Sequence, residues 1–96
     1  MASGGGGGVG GKSMKSVAND VGDGYMTINP LVLKKFEPDM IKDLFEHLNK
    51  AMTAARNIAV PLNDVLAMRH KNMRLQRLHN ALIILRNHAR EKRILL

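Results

Sequence analysis

The clearest hydrophobic pattern of this chain lies between two prolines, Pro38 and Pro61. Pro38 suits the first position of a helix, and Asp39 adds a negative charge near the positive end of the helix dipole. Pro61 cannot continue a helix. Between them, apolar residues recur at the i, i+3, i+4 spacing of one helix face: Ile41, Leu44, Phe45, Leu48, Met52, Ala55 and Ile58. The pattern predicts a helix over about residues 38–59.

A second, longer segment follows Pro61 without another proline or glycine. Asn63 or Asp64 can cap its start. Its apolar positions follow a near-heptad stripe that Lys71 interrupts: Met68, Leu75, Leu78, Leu82, Leu85 and Ala89. This predicts a long, basic amphipathic helix over about residues 62–92. The predicted fold is therefore all-α, an antiparallel helical hairpin of 38–59 and 62–92.

The turn near residue 60 also predicts a register between the two helices. It places Glu46 opposite about Leu75, so that acids of the first helix lie near Arg74 and Arg77 and partly neutralise them. From Ile84 onward the second helix then extends past the first by about a dozen residues, or roughly 18 Å. The sequence thus predicts an exposed C-terminal overhang that is both basic and apolar.

The residues before the hairpin carry weaker patterns. Residues 1–24 are rich in glycine and poor in apolar side chains, so we expect a disordered tail. Residues 25–36 are apolar, but Pro30 restricts Asn29 to extended conformations. We expect an extended strap there, with short pieces at 26–28 and 31–33; a two-stranded ribbon and a helical turn after Pro30 are alternatives. Residues 25–96 form the predicted interaction domain.

Charge is concentrated in the second half of the chain. Residues 1–50 contain six lysines and six acids, whereas residues 51–96 contain nine basic residues and two acids, so the net charge of +7 belongs to the second half. One-sided positive charge is typical of proteins with an anionic partner. The three aromatic residues all lie in the first half, which argues against recognition of single strands by base stacking.

Length and composition narrow the class of protein further. A domain of about 70 residues without cysteine has no disulfide to stabilise it, so we expect oligomerisation or a partner chain. The chain has no apolar run near 18 residues, and its glycine-rich start does not look like a secretory signal. We therefore expect an intracellular protein, nuclear or cytoplasmic.

Three apparent motifs do not support a catalytic or cofactor site. Residues 6–13 match the phosphate-loop pattern G-x-x-x-x-G-K-[ST], but the five residues before them cannot form the strand that such a loop needs. His70, His79 and His88 are nine residues apart, which places neighbours on opposite helix faces. Residues 17–96 contain no serine, and the acids are scattered. We predict no enzyme, no metal and no cofactor.

The sequence favours a non-enzymatic helical subunit or adaptor of a larger complex that binds an acidic partner helix through its basic C-terminal helix. The predicted apolar interface comprises Leu75, Leu78, Leu82, Ile84, Leu85, Ile94 and Leu95. The predicted contacts to acidic groups or phosphates are Arg69, Lys71, Arg74, Arg77, Arg86, Arg90, Lys92 and Arg93. The first alternative is a sequence-nonspecific nucleic-acid-binding dimer. Self-association into a helical bundle, and capture by a calmodulin-like protein or an anionic membrane, also remain open.

Overall fold

A computed structural model describes residues 13–96, which form four helices and no strand. The helices are α1 (Met14–Asp23), α2 (Pro30–Leu33), α3 (Pro38–Arg56) and α4 (Val65–Glu91). The all-α prediction is confirmed, and both long helices exist. Residues 1–12 of the predicted tail, and with them nearly all of the phosphate-loop match, lie outside the described residues.

Helix α1 corrects the prediction of a disordered tail over residues 14–23. Ser13 caps its start by accepting a hydrogen bond from the Ser16 N–H at 3.1 Å. At its end, Gly24 adopts the left-handed conformation with φ 86°, and the Tyr25 N–H donates to the Asp20 carbonyl at 2.8 Å. This is a Schellman ending, which favours glycine. Met14, Val17, Ala18 and Val21 are buried, so the helix is held by its apolar face.

The segment from 25 to 36 contains a short helix where two extended pieces were predicted. Residues 25–29 have no regular structure, and α2 then begins at Pro30, with the Asn29 side chain accepting from the Val32 N–H at 2.9 Å. The prediction of an extended piece at 31–33 is wrong, and the alternative of a helical turn after Pro30 is what forms. An asparagine cap before a proline outweighs the extended tendency of the apolar run.

Helix α3 begins at Pro38 as predicted but ends at Arg56, three residues earlier than expected. Helix α4 begins at Val65, after the Asp64 side chain has accepted a hydrogen bond from the Ala67 N–H at 3.0 Å. Eight residues therefore connect the two helices where a tight turn was expected. The early end has a local reason, because Pro61 and the β-branched Val60 and Ile58 are poor helix formers.

Two contacts establish how α3 and α4 lie together. The Lys71 ammonium donates to the Ile58 carbonyl at 2.8 Å, and the Arg86 guanidinium carbon lies 5.6 Å from the centre of the Phe45 ring. Ile58 lies two residues after the end of α3, so a later position on α4 meets an earlier position along α3 and its continuation, and the two helices run in opposite directions. Their register differs from the predicted one by about ten residues, since the same relation places Glu46 near residue 84 instead of Leu75.

The core is built from one face of each long helix, with α1, Ile28, Leu33 and Phe36 closing it. From α3 it receives Ile41, Leu44, Leu48, Met52 and Ala55, and from α4 it receives Leu78, Ala81, Leu82, Leu85 and Ala89. No residue of α4 before Leu78 is buried. The free end of α4 is therefore its N-terminal half, because the observed register places Arg56, the last residue of α3, opposite about residue 74.

Candidate interaction surface

The predicted C-terminal overhang does not exist in this fold. Leu85 has no exposed surface, and Leu78 and Leu82 are likewise buried in the core of the chain itself. Leu75, Ile84 and Ile94 are partly buried against that core. These six residues are therefore wholly or partly committed to packing within the chain. Only Leu95, 85% exposed, remains fully available of the predicted apolar interface.

The predicted basic contacts fall into two groups. Arg69, on the first half of α4, and the four C-terminal residues Arg86, Arg90, Lys92 and Arg93 are exposed. Lys71, Arg74 and Arg77 are half-buried, and each donates a hydrogen bond within the chain. The structure thus separates exposed basic residues at the two ends of α4 from a middle group that stabilises the fold.

Two residues of the middle group, Arg74 and Arg77, contact α1, which corrects the expectation that acids of α3 would face them. Arg74 forms an ion pair with Asp23, and Arg77 donates to the Gly22 carbonyl at 3.2 Å. Both acceptors lie at the C-terminal end of α1, where the helix dipole is negative and favours cations. The glycines permit this approach: a Cβ atom at Gly22 would lie 3.0 Å from the Arg74 guanidinium carbon.

An exposed apolar surface lies at the opposite end of α4 from the predicted one. Leu62 is 93% exposed, Val65 67%, Leu66 66% and Met73 41%. We define the tip surface as Leu62, Val65, Leu66, Arg69 and Met73. Val65 and Leu66 precede Arg69 by four and three residues, and Met73 follows Arg69 by four, which places all four on one face of α4. Sequence reasoning missed this surface although its spacing is visible, because the assumed register buried this end of α4.

An open cleft adjoins the tip surface. Its volume is about 410 Å³, and its walls come from the end of α1 and the first half of α4: Gly22, Asp23, His70, Met73, Arg74 and Arg77. We call it the arginine cleft. Met73 belongs to both the tip surface and this cleft, so an apolar face and a cationic concavity share an edge.

Other features of residues 13–96 give weaker indications of a binding site. A second cavity of about 270 Å³ lies between residues 24–28 and α4, and its lining is mixed, with Thr27, Arg77 and Asn80 among apolar residues. Within the described part of the chain, no group of three His, Cys, Asp or Glu side chains is arranged to hold a metal ion. None of the described helices is both long enough and apolar enough to cross a membrane.

Comparisons of the chain with protein-family models, with curated proteins and with solved structures gave no match.

Proposed function

We propose that this chain is a non-enzymatic helical interaction subunit that binds an acidic amphipathic helix of another protein. The observation that carries the proposal is the tip surface. Apolar side chains at helical spacing are exposed on a part of α4 that α3 does not reach. A contiguous exposed apolar patch with polar surroundings is typical of a protein-binding surface. A straight helix face with anchors three or four residues apart suits a second helix.

The charge around the tip surface favours an acidic partner. Residues 56–77 carry five basic side chains and one acid, Asp64, which gives a net charge of +4 with neutral histidine. Arg74 is paired with Asp23, whereas Lys71 and Arg77 donate to neutral carbonyl groups. Complementary charge would guide a partner's approach and orientation. The same charge opposes pairing of two copies through this surface, because each would present an excess of positive residues.

The test is a titration with a synthetic amphipathic helical peptide. Its apolar face carries leucines at i, i+3, i+4 and i+7 and is flanked by glutamates; the matched peptide carries lysines in their place. We expect the acidic peptide to bind and the basic one not to. Binding is followed by fluorescence anisotropy of the labelled peptide at two salt concentrations. Equal affinity for both peptides, or none for either, would contradict the proposal.

Variants of the chain locate the binding surface. Leu66→Ala is expected to weaken binding about tenfold, which corresponds to about 1.4 kcal/mol for loss of an interface anchor. Leu95→Ala is the matched control, because Leu95 is an exposed leucine at the far end of the chain. We expect it to leave the affinity unchanged. If the two substitutions act alike, the partner does not bind at the tip surface.

A second candidate is sequence-nonspecific binding of nucleic acid, supported by the exposed basic side chains near the C-terminus. Arg86, Arg90, Lys92 and Arg93 lie within eight residues that contain one acid, Glu91. Phosphate contacts need charge but no apolar surface. This candidate predicts that a DNA or RNA duplex binds with steep salt dependence, and that Arg90→Gln weakens binding whereas Leu66→Ala does not.

A further inference from the structure

We propose that the arginine cleft is an acceptor site for a carboxylate of the bound helix, and that Asp23 occupies part of this site in the free protein. The proposal rests on the proposed function, since the carboxylate arrives on a helix that lies on the tip surface. It adds a defined anionic contact and an internal competitor for that contact.

The cleft has the donors that such a site needs. His70, Arg74 and Arg77 are spaced by four and three residues along α4 and line one side of the cleft. Each guanidinium carries five N–H donors in a planar fork that matches a carboxylate. The hydrogen bond from Arg74 to Asp23, and the one from Arg77 to Gly22, each engage one nitrogen of the fork. Both arginines line the cleft, so a further carboxylate in it would lie beside two guanidinium groups.

The end of α1 holds these donors in place. Gly22 and Gly24 allow the backbone to lie close to the two arginines. A Cβ at Gly24 would lie only 2.9 Å from the Arg77 guanidinium carbon, so a larger residue there would displace this side chain. Side chains that are ordered before binding lose less conformational entropy when the partner arrives. The cleft is therefore preorganised by contacts within the chain, unlike an arginine that extends freely into solvent.

The chemical class of the ligand is inferred from Asp23, which lies in the cleft in the free protein, and from the adjoining tip surface. Asp23 shows that the cleft already accepts a carboxylate, and its side chain is 44% exposed, so a competing group can reach the pair from solvent. Met73 lies at the shared edge, so a helix whose apolar face covers Leu66 and Met73 has one flank beside the cleft. A glutamate on that flank is the ligand we infer, in preference to a free anion.

The decisive variant is Asp23→Asn, because it distinguishes competition from a purely structural role. Removal of the competing charge is expected to tighten binding of the acidic peptide about two- to fivefold, the range of an exposed ion pair. If Asp23 only positions the arginines, the same variant weakens binding or leaves it unchanged. Glu46→Gln is the matched control, since Glu46 is an exposed acid of α3 near residue 84, away from the cleft, and changes the net charge equally.

A second peptide, in which only the glutamate on the flank beside the cleft is replaced by glutamine, completes a double-mutant cycle. We expect Asp23→Asn to tighten binding of the glutamate peptide and to leave the glutamine peptide unchanged. An equal change for both peptides, or an equal gain from Glu46→Gln, would overturn the cleft proposal. Inorganic phosphate and acetate are titrated as competitors. If millimolar phosphate alone removes the gain, the cleft takes free anions and the assignment to a partner carboxylate is wrong.

The outcomes separate the two proposals. If the acidic peptide binds and Leu66→Ala weakens it, but Asp23→Asn has no effect, the proposed function stands and the cleft proposal fails. If the acidic peptide does not bind to the unmodified chain at any salt concentration, the proposed function itself fails. Circular dichroism of each variant verifies that the helices remain folded, and Asp23→Ser serves as a second uncharged variant should the asparagine variant unfold.

Discussion

Replacement of Leu85 by alanine provides the strongest test of the structure, because sequence and fold place this residue in opposite environments. The hydrophobic pattern places Leu85 on an exposed overhang, where the substitution would change the stability little. In the fold, Leu85 has no exposed surface and lies in the core with Leu78 and Leu82. Leu66, on the same helix and 66% exposed, is a matched control of identical chemistry.

The expected magnitude follows from burial. Truncation of leucine to alanine removes three carbon groups, each contributing about 0.8 kcal/mol when buried, and leaves a cavity, so the total loss is about 2–5 kcal/mol. A domain of this size unfolds with a free energy of roughly 4–13 kcal/mol, so Leu85→Ala removes a large share of it. Leu66→Ala is expected to change the free energy of unfolding by no more than about 0.5 kcal/mol, because leucine and alanine are both good helix formers.

Urea unfolding followed by circular dichroism at 222 nm measures both variants. We expect the midpoint of Leu85→Ala to fall steeply with an unchanged slope, and the midpoint of Leu66→Ala to stay near that of the unmodified chain. If Leu85→Ala unfolds at the same urea concentration as the unmodified chain, the register of α4 against α3 is wrong. If Leu66→Ala is the more destabilising of the two, the N-terminal half of α4 is the buried half.

Three further predictions concern the ends of the helices. Truncation after Ile83 removes the last buried turns of α4 and is expected to abolish cooperative thermal unfolding, which differential scanning calorimetry detects; a truncated chain that still melts in one sharp transition would contradict the fold. Gly24→Ala is expected to destabilise the chain by about 1 kcal/mol because Gly24 has a positive φ, and Gly24→Asn is expected to cost less. Arg93→Gly is expected to stabilise the chain by about 0.5–1 kcal/mol, since Arg93 has φ 58°. Chemical denaturation measures all three variants, and a stability change of the same sign for Gly24→Ala and Arg93→Gly would refute the reasoning. Asp64→Ala is expected to lower the free energy of unfolding by about 0.5–2 kcal/mol through loss of the α4 cap, and Asp64→Ser to lower it much less, because serine also caps helices. Equal urea midpoints for the two variants would show that the cap contributes nothing.

Helix α1 shows how a local signal can be present and still be overlooked. Met14, Val17, Ala18 and Val21 follow the i, i+3, i+4, i+7 pattern, and Gly24 is a typical residue at the end of a helix. The glycine-rich start extends the predicted disorder ten residues too far along the chain. The isolated helix would be too short to form in water. It exists because its buried face packs on α3 and α4, a stabilisation that local pattern alone does not measure.

The sequence by itself determined the type and approximate extent of the long helices, the starting proline of α3, two candidate caps for α4 and the concentration of charge in the second half. These features depend on residues that are close along the chain, so spacing and capping are sufficient to predict them. The tertiary structure decided the register of α3 against α4 and, with it, which half of α4 is exposed. A helix face presents similar apolar stripes at several offsets, and the choice among them depends on the path of residues 57–64 and on the fit of α1 against both helices. The candidate binding surface moved from one end of α4 to the other for this reason alone.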